Sequence, residues 1–421
     1  MRSLFPSAAI TARRYPLLSA LRTAGFALGT FEQAQPGPGD LFLVAEGEVP
    51  PVPARTVIVG EGSPAIRPGR DGSPSRVTYS GADAEVGNAF VRALVAGPDT
   101  PTAADPESLA LFALAERVAA ADITVLINGP TGTGKEVLAR AIHNGSPRRN
   151  GPFIAINCAA LPEAMLEAML FGHQKGAFTG ASSGGEGFFR AANGGTLLLD
   201  EIAEMPVGLQ AKLLRALQER EVVPLGAVTP VPIDVRIVAC ANRDLQAEVA
   251  AGRFRADLYY RLSVFPLSTK PLCERPADIP ALAATMILRH AGARAVVPWP
   301  TTEAIDLLRD HDWPGNVREL ENVIQRALLF AGGDRIEVSH ILFDRPSAST
   351  PARFDEASTL GQVVQMSEFA AIRDTLAACG GSRIETARRL GISERTLRYR
   401  LAKAREQGED VGAGWARAGA A

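Results

Sequence analysis

The residues best suited to chemistry lie in two clusters. Gly129-Pro130-Thr131-Gly132-Thr133-Gly134-Lys135 follows the apolar run Ile123 to Ile127 and opens a helical pattern from Glu136 to His143. A glycine-rich turn between a strand and a helix lets backbone N–H groups close around phosphates. The helix N-terminus adds partial positive charge, and a lysine at its end reaches the outer phosphates. Downstream, Gly195 to Leu199 is a buried-strand pattern ending in Asp200-Glu201. A parallel sheet presents its ligands at the carboxyl tips of its strands, so Asp200 is suited to hold magnesium, usually through water, and Glu201 to activate an attacking water. An apolar run ending in two acids is by itself often only a strand reaching solvent; its place after a phosphate loop makes it a catalytic pair. Together the clusters predict ATP hydrolysis with Mg2+. In one departure, Glu136 stands where Ser or Thr usually supplies a magnesium ligand.

The elements that would position these residues read as follows. Between about 105 and 275, strand-like runs alternate with helical patterns, which predicts βαβ units around a parallel sheet. After 275 the strand signals stop, and Pro280 to Arg289, Thr302 to Asp310 and Asn316 to Phe330 read as helices of a lid over 276–343. Asp105-Pro106-Glu107 is a helix start, with an Asp cap and Pro in the first turn. Pro98 to Thr102 is the linker before it, and 344–360, rich in Pro, Ser and Ala, is a second linker. Residues 1–98 show short apolar runs at Asp40 to Val44 and Thr56 to Val59 and a helical pattern from Glu85 to Val95.

The chain has 421 residues, 46% hydrophobic and 21% charged, which suits several globular domains and excludes wholesale disorder. Its net charge of −2 conceals a basic terminus. From Ser382 to Gln407, Arg383, Arg388, Arg389, Arg395, Arg398, Arg400, Lys403 and Arg405 face only Glu385, Glu394 and Glu406. Thr386 to Ser393 reads as a helix ended by Gly391 with Ser393 as the next cap, and Glu394 to Ala404 as a second helix, within an ordered piece at 361–407. This is helix-turn-helix spacing. The cysteines Cys158, Cys240, Cys273 and Cys379 are too dispersed for a metal site and read as reduced thiols. With no signal peptide and no apolar stretch approaching the roughly 20 residues of a membrane span, a soluble cytoplasmic protein is expected, with no membrane partner.

Between the two ATP motifs, Phe171-Gly172-His173-Gln174-Lys175 leads into Gly176-Ala177-Phe178-Thr179-Gly180-Ala181. This hexapeptide resembles the signature of NtrC-type sigma-54-dependent transcriptional activators, and the likeness runs from about 115 to 330. The resemblance implies a AAA+ P-loop ATPase of α/β class: a parallel sheet with helices on both faces plus an α-helical lid. It also implies an ATP site at Gly129, Pro130, Thr131, Gly132, Thr133, Gly134, Lys135 and Glu136, with Arg318 of the lid reading the nucleotide. Phe178 and Thr179 would contact sigma-54, with Gly176, Ala177, Gly180 and Ala181 shaping the loop. Asn157 matches the residue that holds Glu201 inactive, and Asn242 the sensor of the γ-phosphate, although Ala241 precedes it where many relatives have Thr. Arg255 and Arg261 resemble arginine fingers inserted into a neighbouring subunit, so the resemblance implies a hexameric ring. Cys273 replaces a common arginine without evident consequence.

The C-terminus is similar to the Fis-type helix-turn-helix of the same activators, which implies a dimer on enhancer-like double-stranded DNA. Glu394, Arg395, Thr396, Arg398 and Tyr399 would enter or flank the major groove, and Arg388, Arg389 and Lys403 would touch phosphates. At the N-terminus, Asp40 to Glu46 resembles the central strand of a response-regulator receiver of two-component systems, with Ala45 where the phosphate-accepting Asp belongs. A methyl group cannot replace a carboxylate nucleophile. A degenerate α/β receiver is therefore expected, controlled by a protein or small ligand, and related activators of this kind govern flagellar genes. A AAA+ remodeller of another protein client, such as an unfoldase or a replication loader, shares the ATP motifs but has no use for the hexapeptide. A repressor without ATPase activity has no use for the catalytic set.

Overall fold

The computed structural model describes residues 3–30, 37–97, 100–177, 183–292, 294, 296–343, 375, 379, 382–389 and 397. The chain divides into two units, Met1–Asp344 and Arg345–Ala421. The first unit opens with β1 (Ser3–Pro6), α1 (Ala8–Arg13), α2 (Tyr15–Thr23), β2 (Ala27–Leu28), β3 (Leu41–Ala45), β4 (Thr56–Gly60), β5 (Ala65–Arg67), β6 (Ser75–Thr78) and α3 (Ala84–Ala96). Five strands run parallel in the order β2-β1-β3-β4-β6, and β5 adds an antiparallel edge. This is the doubly wound, flavodoxin-like order that receivers share, and β3 lies at its centre as expected. Among the described residues, the connections from β2 to β3 and from β3 to β4 contain no α-helix, only a 3-10 turn at Pro53–Arg55. The strand β1 escaped the sequence reading because its four residues, SLFP, are too short for a periodic signal.

The ATPase begins at α4 (Pro106–Ala119), where Asp105 Oδ1 accepts from the amides of Glu107 at 3.0 Å and Ser108 at 3.4 Å. This cap and the first-turn proline are as predicted. Next come β7 (Val125–Asn128), α5 (Lys135–Asn144), β8 (Phe153–Asn157), α6 (Glu163–Phe171), α7 (Phe188–Ala191), β9 (Thr196–Asp200), α8 (Val207–Glu219), β10 (Glu221–Val222), β11 (Val231–Pro232), β12 (Arg236–Ala241), α9 (Leu245–Ala250), α10 (Ala256–Leu262) and β13 (Phe265–Ser268). The main sheet is wholly parallel, ordered β13-β7-β12-β9-β8. Its strands are almost continuously apolar because helices cover both faces. Leu197 and Leu199 face Leu166 of α6, Leu213 of α8 and Leu258 of α10. Leu198 points the other way, toward Val118 of α4 and Leu138 and Ile142 of α5.

The lid comprises α11 (Asp278–His290), β14 (Trp299–Pro300), α12 (Thr302–Arg309), α13 (Asn316–Phe330) and β15 (Arg335–Ile336). The three helices match the sequence reading; the strand signal does not stop completely, since β14 and β15 pair in parallel. Two residues per strand leave no alternation to read. The helix α11 is buried on nearly all sides, at Ile279, Ala283, Ala284, Met286 and Ile287, and a helix apolar all round needs neighbours on every side. It has α13 on one side and α3 of the N-terminal domain on another. Trp299 stacks on Tyr79 with centroids 6.4 Å apart and tilts against Phe90 at 5.3 Å, while Ile66 bridges to Val297. The N-terminal domain and lid thus share one core. Each fully buried aliphatic or aromatic side chain there contributes roughly 1.5–3 kcal/mol.

In the second unit a helix spans Arg383–Arg389, with Thr386 and Ala387 buried and Arg388 and Arg389 exposed. No helix among the described residues is long and apolar enough to cross a membrane.

Candidate ATPase site and sigma-54 loop

The phosphate loop joins β7 to α5, as its spacing predicts. Gly134 caps α5 in the left-handed region, at φ 97°, leaving the first amides of the helix pointing into the loop. Gly132, at φ 79°, is required by closeness as well: a Cβ there would lie 2.4 Å from the Gly315 carbonyl of the lid. Lys135 Nζ donates to the carbonyls of Gly129 at 2.7 Å and Pro130 at 2.9 Å, so the ammonium sits inside the loop. Burial lowers its pKa, with Cys240, Asp200 and Glu201 acting in the opposite direction and Arg318 adding to the depression. Arg318 therefore stands close enough for its charge to reach the loop.

At the tip of β9, Asp200 Oδ1 accepts from the Glu201 amide at 3.0 Å. Burial raises the Asp200 carboxyl; the Glu201 amide and Lys135 lower it, and the charges of Glu201 and Glu136 raise it. Glu201 occupies the left-handed region at φ 52°, ψ 44°, an unusual position for a non-glycine residue and one that recurs at functional sites. Asn157 pairs in register with Asp200 across β8 and β9, but its Oδ1 accepts from Ala159 N at 2.8 Å rather than holding Glu201. Asn242 follows β12, and its Oδ1 is buried without a hydrogen-bond partner, beside a cleft that includes Gly129 and Pro130. A buried amide oxygen accepts, so it suits a donor such as water, while a phosphate oxygen would be met by the Nδ2 donor.

The Asp200 carboxylate, which feels the charges of Lys135, Glu201 and Glu136, is the group here whose chemistry fits a divalent cation. Among the described residues no three His, Cys, Asp or Glu side chains form a complete metal shell.

Arg255 and Arg261 are each tied to a partner outside this loop. The Arg255 guanidinium pairs with Asp257 at 2.7 Å and is 42% exposed, and Arg261 Nη2 donates to the Leu217 carbonyl at 3.0 Å. Arg261 lines a separate cleft with Arg236, which begins β12, at the opposite end of the sheet from Asp200 and the phosphate loop. Arg261 cannot serve its own subunit's loop from there.

The loop carrying the hexapeptide is inserted between α6 and α7, and its base is clamped. His173 and Gly185 exchange backbone hydrogen bonds at 3.0 and 2.9 Å, and Gln174 N donates to Leu225 O at 2.9 Å. Leu225 N returns a bond to Gly172 O at 2.9 Å, tying the loop to the turn between β10 and β11. The two limbs touch where Gly172 faces Gly187: a Cβ on Gly187 would lie 2.3 Å from Gly172 N. Gly176 and Ala177 continue from this base; Phe178, Thr179, Gly180 and Ala181 lie outside the described residues.

Three contributors to the site were not read from the sequence. Thr269, after β13, shares a 2.7 Å hydrogen bond with Thr133. Asn316 Nδ2 donates to Thr131 O at 3.0 Å, and the next residue, Val317, donates its amide to Gly132 O at 3.0 Å. Arg275 Nη2 donates to Thr133 O at 2.8 Å while Nη1 pairs with buried Asp278 at 3.2 Å. The lid thus holds the phosphate loop through its backbone carbonyls.

On the second unit, Arg388 pairs with Glu385 at 2.7 Å and Arg389 Nη1 reaches Cys379 Sγ at 3.8 Å. Glu394, Arg395, Thr396, Arg398, Tyr399 and Lys403 lie outside the described residues.

Comparison with known proteins agrees with this geometry. Residues 102–268 match the sigma-54 interaction domain, 273–355 a AAA+ ATPase lid domain, and 364–403 the Fis family of bacterial regulatory proteins. The response regulator protein FleR of Pseudomonas aeruginosa is 52% identical over 343 residues, covering 74% of this chain and 72% of FleR. The transcriptional regulatory protein FlbD of Caulobacter vibrioides is 45% identical over 343 residues, covering 78% of this chain and 75% of FlbD. The crystal structure of NtrX from Brucella abortus in complex with ADP overlays with a TM-score of 0.56 at 23% identity, over 95% of this chain and 98% of that one, a likeness of fold alone. The matched sigma-54 domain, its intact ATP motifs and the Fis-type terminus together place this chain in the family of NtrC-type sigma-54-dependent transcriptional activators, which are AAA+ ATPases.

Proposed function

We propose that nucleotide state at Lys135, Asp200 and Glu201 raises and lowers the Phe178–Thr179 loop against sigma-54. The observation that carries this is continuity of chain. Asn157, level with Asp200, leads within a few residues into the nine-residue α6, and α6 ends at the clamped loop base. A short rigid helix passes a displacement at one end to the other.

In this reading Gly129, Pro130, Thr131, Gly132, Thr133, Gly134 and Glu136 enclose ATP, Lys135 holds its outer phosphates and Arg318 reads it from the lid. Mg2+, held through Asp200, would offset the phosphate charge. Glu201 takes the proton of the attacking water, Asn242 senses the γ-phosphate, and Asn157 swings from Ala159 N to restrain Glu201 between cycles. Arg255 and Arg261 act on a neighbouring copy in a hexameric ring, since a fixed cation stabilises charge on the transferring phosphoryl group. Gly176, Ala177, Gly180 and Ala181 give the loop its shape. The terminal helices bind enhancer-like DNA as a dimer, with Glu394, Arg395, Thr396, Arg398 and Tyr399 at the bases and Arg388, Arg389 and Lys403 at phosphates.

The proposed domains are a receiver-like domain at 1–98, the ATPase at 105–275, its lid at 276–343, a linker at 344–360 and the DNA-binding domain at 361–407. A protein or small ligand acts at the N-terminal domain. The resemblance to FleR and FlbD favours flagellar genes as targets.

The test is open-complex formation with sigma-54 polymerase, ATP and promoter DNA, comparing the natural chain with Thr179→Ala. The natural chain should open the promoter; the variant should hydrolyse ATP without opening it. Equal opening by both would remove the loop from the coupling.

A further inference from the structure

Beneath α3 a cavity of about 430 Å³ lies where the N-terminal domain, the linker, α4, the end of α5 and α11 meet. That volume is within the range of small-molecule sites. Its walls are largely apolar, Phe26 from the N-terminal domain and Phe112 from α4 among them. Arg92 of α3 lines it, and one guanidinium nitrogen, Nη2, is buried with no hydrogen-bond partner. Burial holds the Arg92 pKa below its ordinary value, opposed by the charge of Asp278. Arg92 as a whole is only partly buried and its Nη2 is sealed from the cavity, so an oxyanion would meet the rest of the planar fork, whose shape matches carboxylate and phosphate oxygens. Thr102, whose hydroxyl shares a 3.0 Å hydrogen bond with Thr285, also lines the cavity, and exposed Glu116 disfavours a second anionic group on its side.

The cavity is wired to the phosphate loop. Asp278, the charge that acts on Arg92, is completely buried; it accepts from Ala104 N, from Asp105 N at 2.7 Å and from Ser108 Oγ at 2.6 Å at the linker's end. It also pairs with Arg275, which donates to Thr133 O. From Ala103, which lines the cavity, the path to the phosphate loop runs through the amide of Ala104 to Asp278 and then Arg275.

We propose that this seam is a regulatory site for a small amphipathic organic oxyanion, anchored by Arg92, whose binding is coupled to that of ATP through Asp278 and Arg275. It deepens the reading of a small ligand at the N-terminal domain and rests on it. Such coupling is reciprocal: whatever factor the anion applies to ATP affinity, ATP applies to the anion.

The test uses the full chain with octanoate, octyl phosphate and neutral octanamide as probes, measured by titration calorimetry and by the KM for ATP. At least one anion should bind ten times more tightly than octanamide, Arg92→Met should remove that margin while keeping basal ATPase activity, and saturation should shift the KM at least twofold. Tighter octanoate makes the natural ligand a carboxylate; tighter octyl phosphate makes it a phosphate ester. Equal binding of octanamide, or an unchanged margin in Arg92→Met, overturns the site. Selective binding with an unmoved KM overturns the coupling. A filled cavity, Ala96→Phe, should block the anion with Arg92 intact, which separates loss of the pocket from loss of charge. The broader reading of a small ligand at the N-terminal domain fails separately, if removing that domain's grip with Trp299→Ala leaves ATPase activity and its KM unchanged.

Discussion

The molecule contains two mainly parallel sheets that use their edges in opposite ways. At the carboxyl edge of the ATPase sheet stand Asn128 and the phosphate loop, Asn157, Asp200 with Glu201, and Asn242, nearly all polar. At the corresponding edge of the N-terminal sheet stand Pro6, Leu28, Ala45, Gly60 and Thr78, with the Glu46 carboxylate beside Gly60 and no acid at the tip of β3. The second sheet has kept the strand order of a receiver and lost the groups that would give it phosphotransfer chemistry. What it has gained is a face: α3 and Tyr79 are packed against the lid of the first sheet. A topology survives as long as its core is useful, and its chemistry only as long as its edge is.

The largest expected effect sharpens that contrast. Glu201→Gln should lower ATPase turnover by about 10²–10⁴-fold, the usual contribution of a positioned base. By contrast Ala45→Asp, which restores the acceptor type in the N-terminal sheet, should leave turnover within about twofold, since a lone carboxylate lacks the cation that phosphotransfer needs. Steady-state phosphate release reads both. Acquired control by a phosphodonor in Ala45→Asp would mean that the second edge still carries chemistry.

Next in size is the shared core. Trp299 is 3% exposed, and Trp299→Ala should destabilise the first unit by roughly 3–5 kcal/mol, as for large-to-small changes in a core. Denaturant unfolding should show it, with proteolysis near the linker rising. A change below about 1 kcal/mol would mean that the two sheets are independent and the docking incidental.

A smaller effect concerns pH. Because burial raises Asp200 above the ordinary carboxyl value of 3.8, its protonated form appears earlier as pH falls. The acid limb of kcat/KM should therefore lie above pH 3.8, and because protons and Mg2+ compete for the carboxylate, more Mg2+ should be needed there. An acid limb unchanged in Asp200→Asn, assayed on its residual activity, would assign it to another group.

Smallest is the surface link between the sheets' domains, Arg309 with Glu85 at 2.8 Å, where the side chains are 31% and 59% exposed. Arg309→Ala should cost less than about 1 kcal/mol and less still at high salt. A larger cost, measured by the same unfolding, would show that charge and not the Trp299 core holds the domains together.

How much of this was legible follows from contact order along the chain. The phosphate loop, the Asp200–Glu201 pair and the Asp105 cap are local: each needs a few consecutive residues in one conformation, so spacing reveals them. The helices α11, α12 and α13 were legible from their periodicity, and α3 within a residue of each end. The strands β1, β2 and β6 are too short to carry a pattern and gain their identity only from neighbours. Thr269, Asn316 and Arg275 bind the phosphate loop across more than a hundred residues of chain, and nothing in their own surroundings marks them.

The amino-acid order alone therefore established the chemistry: a phosphate loop, a carboxylate pair, a hexapeptide between them and a basic helical terminus, because each is a contiguous set of groups. Tertiary structure alone decided what that chemistry is attached to. That α3 would close on α11, that Arg92 would lie over a cavity, and that Arg261 would face away from its own nucleotide site depend on which apolar faces meet. Burial is non-directional, so any apolar helix face can cover another; only the folded chain selects the pair that packs without voids.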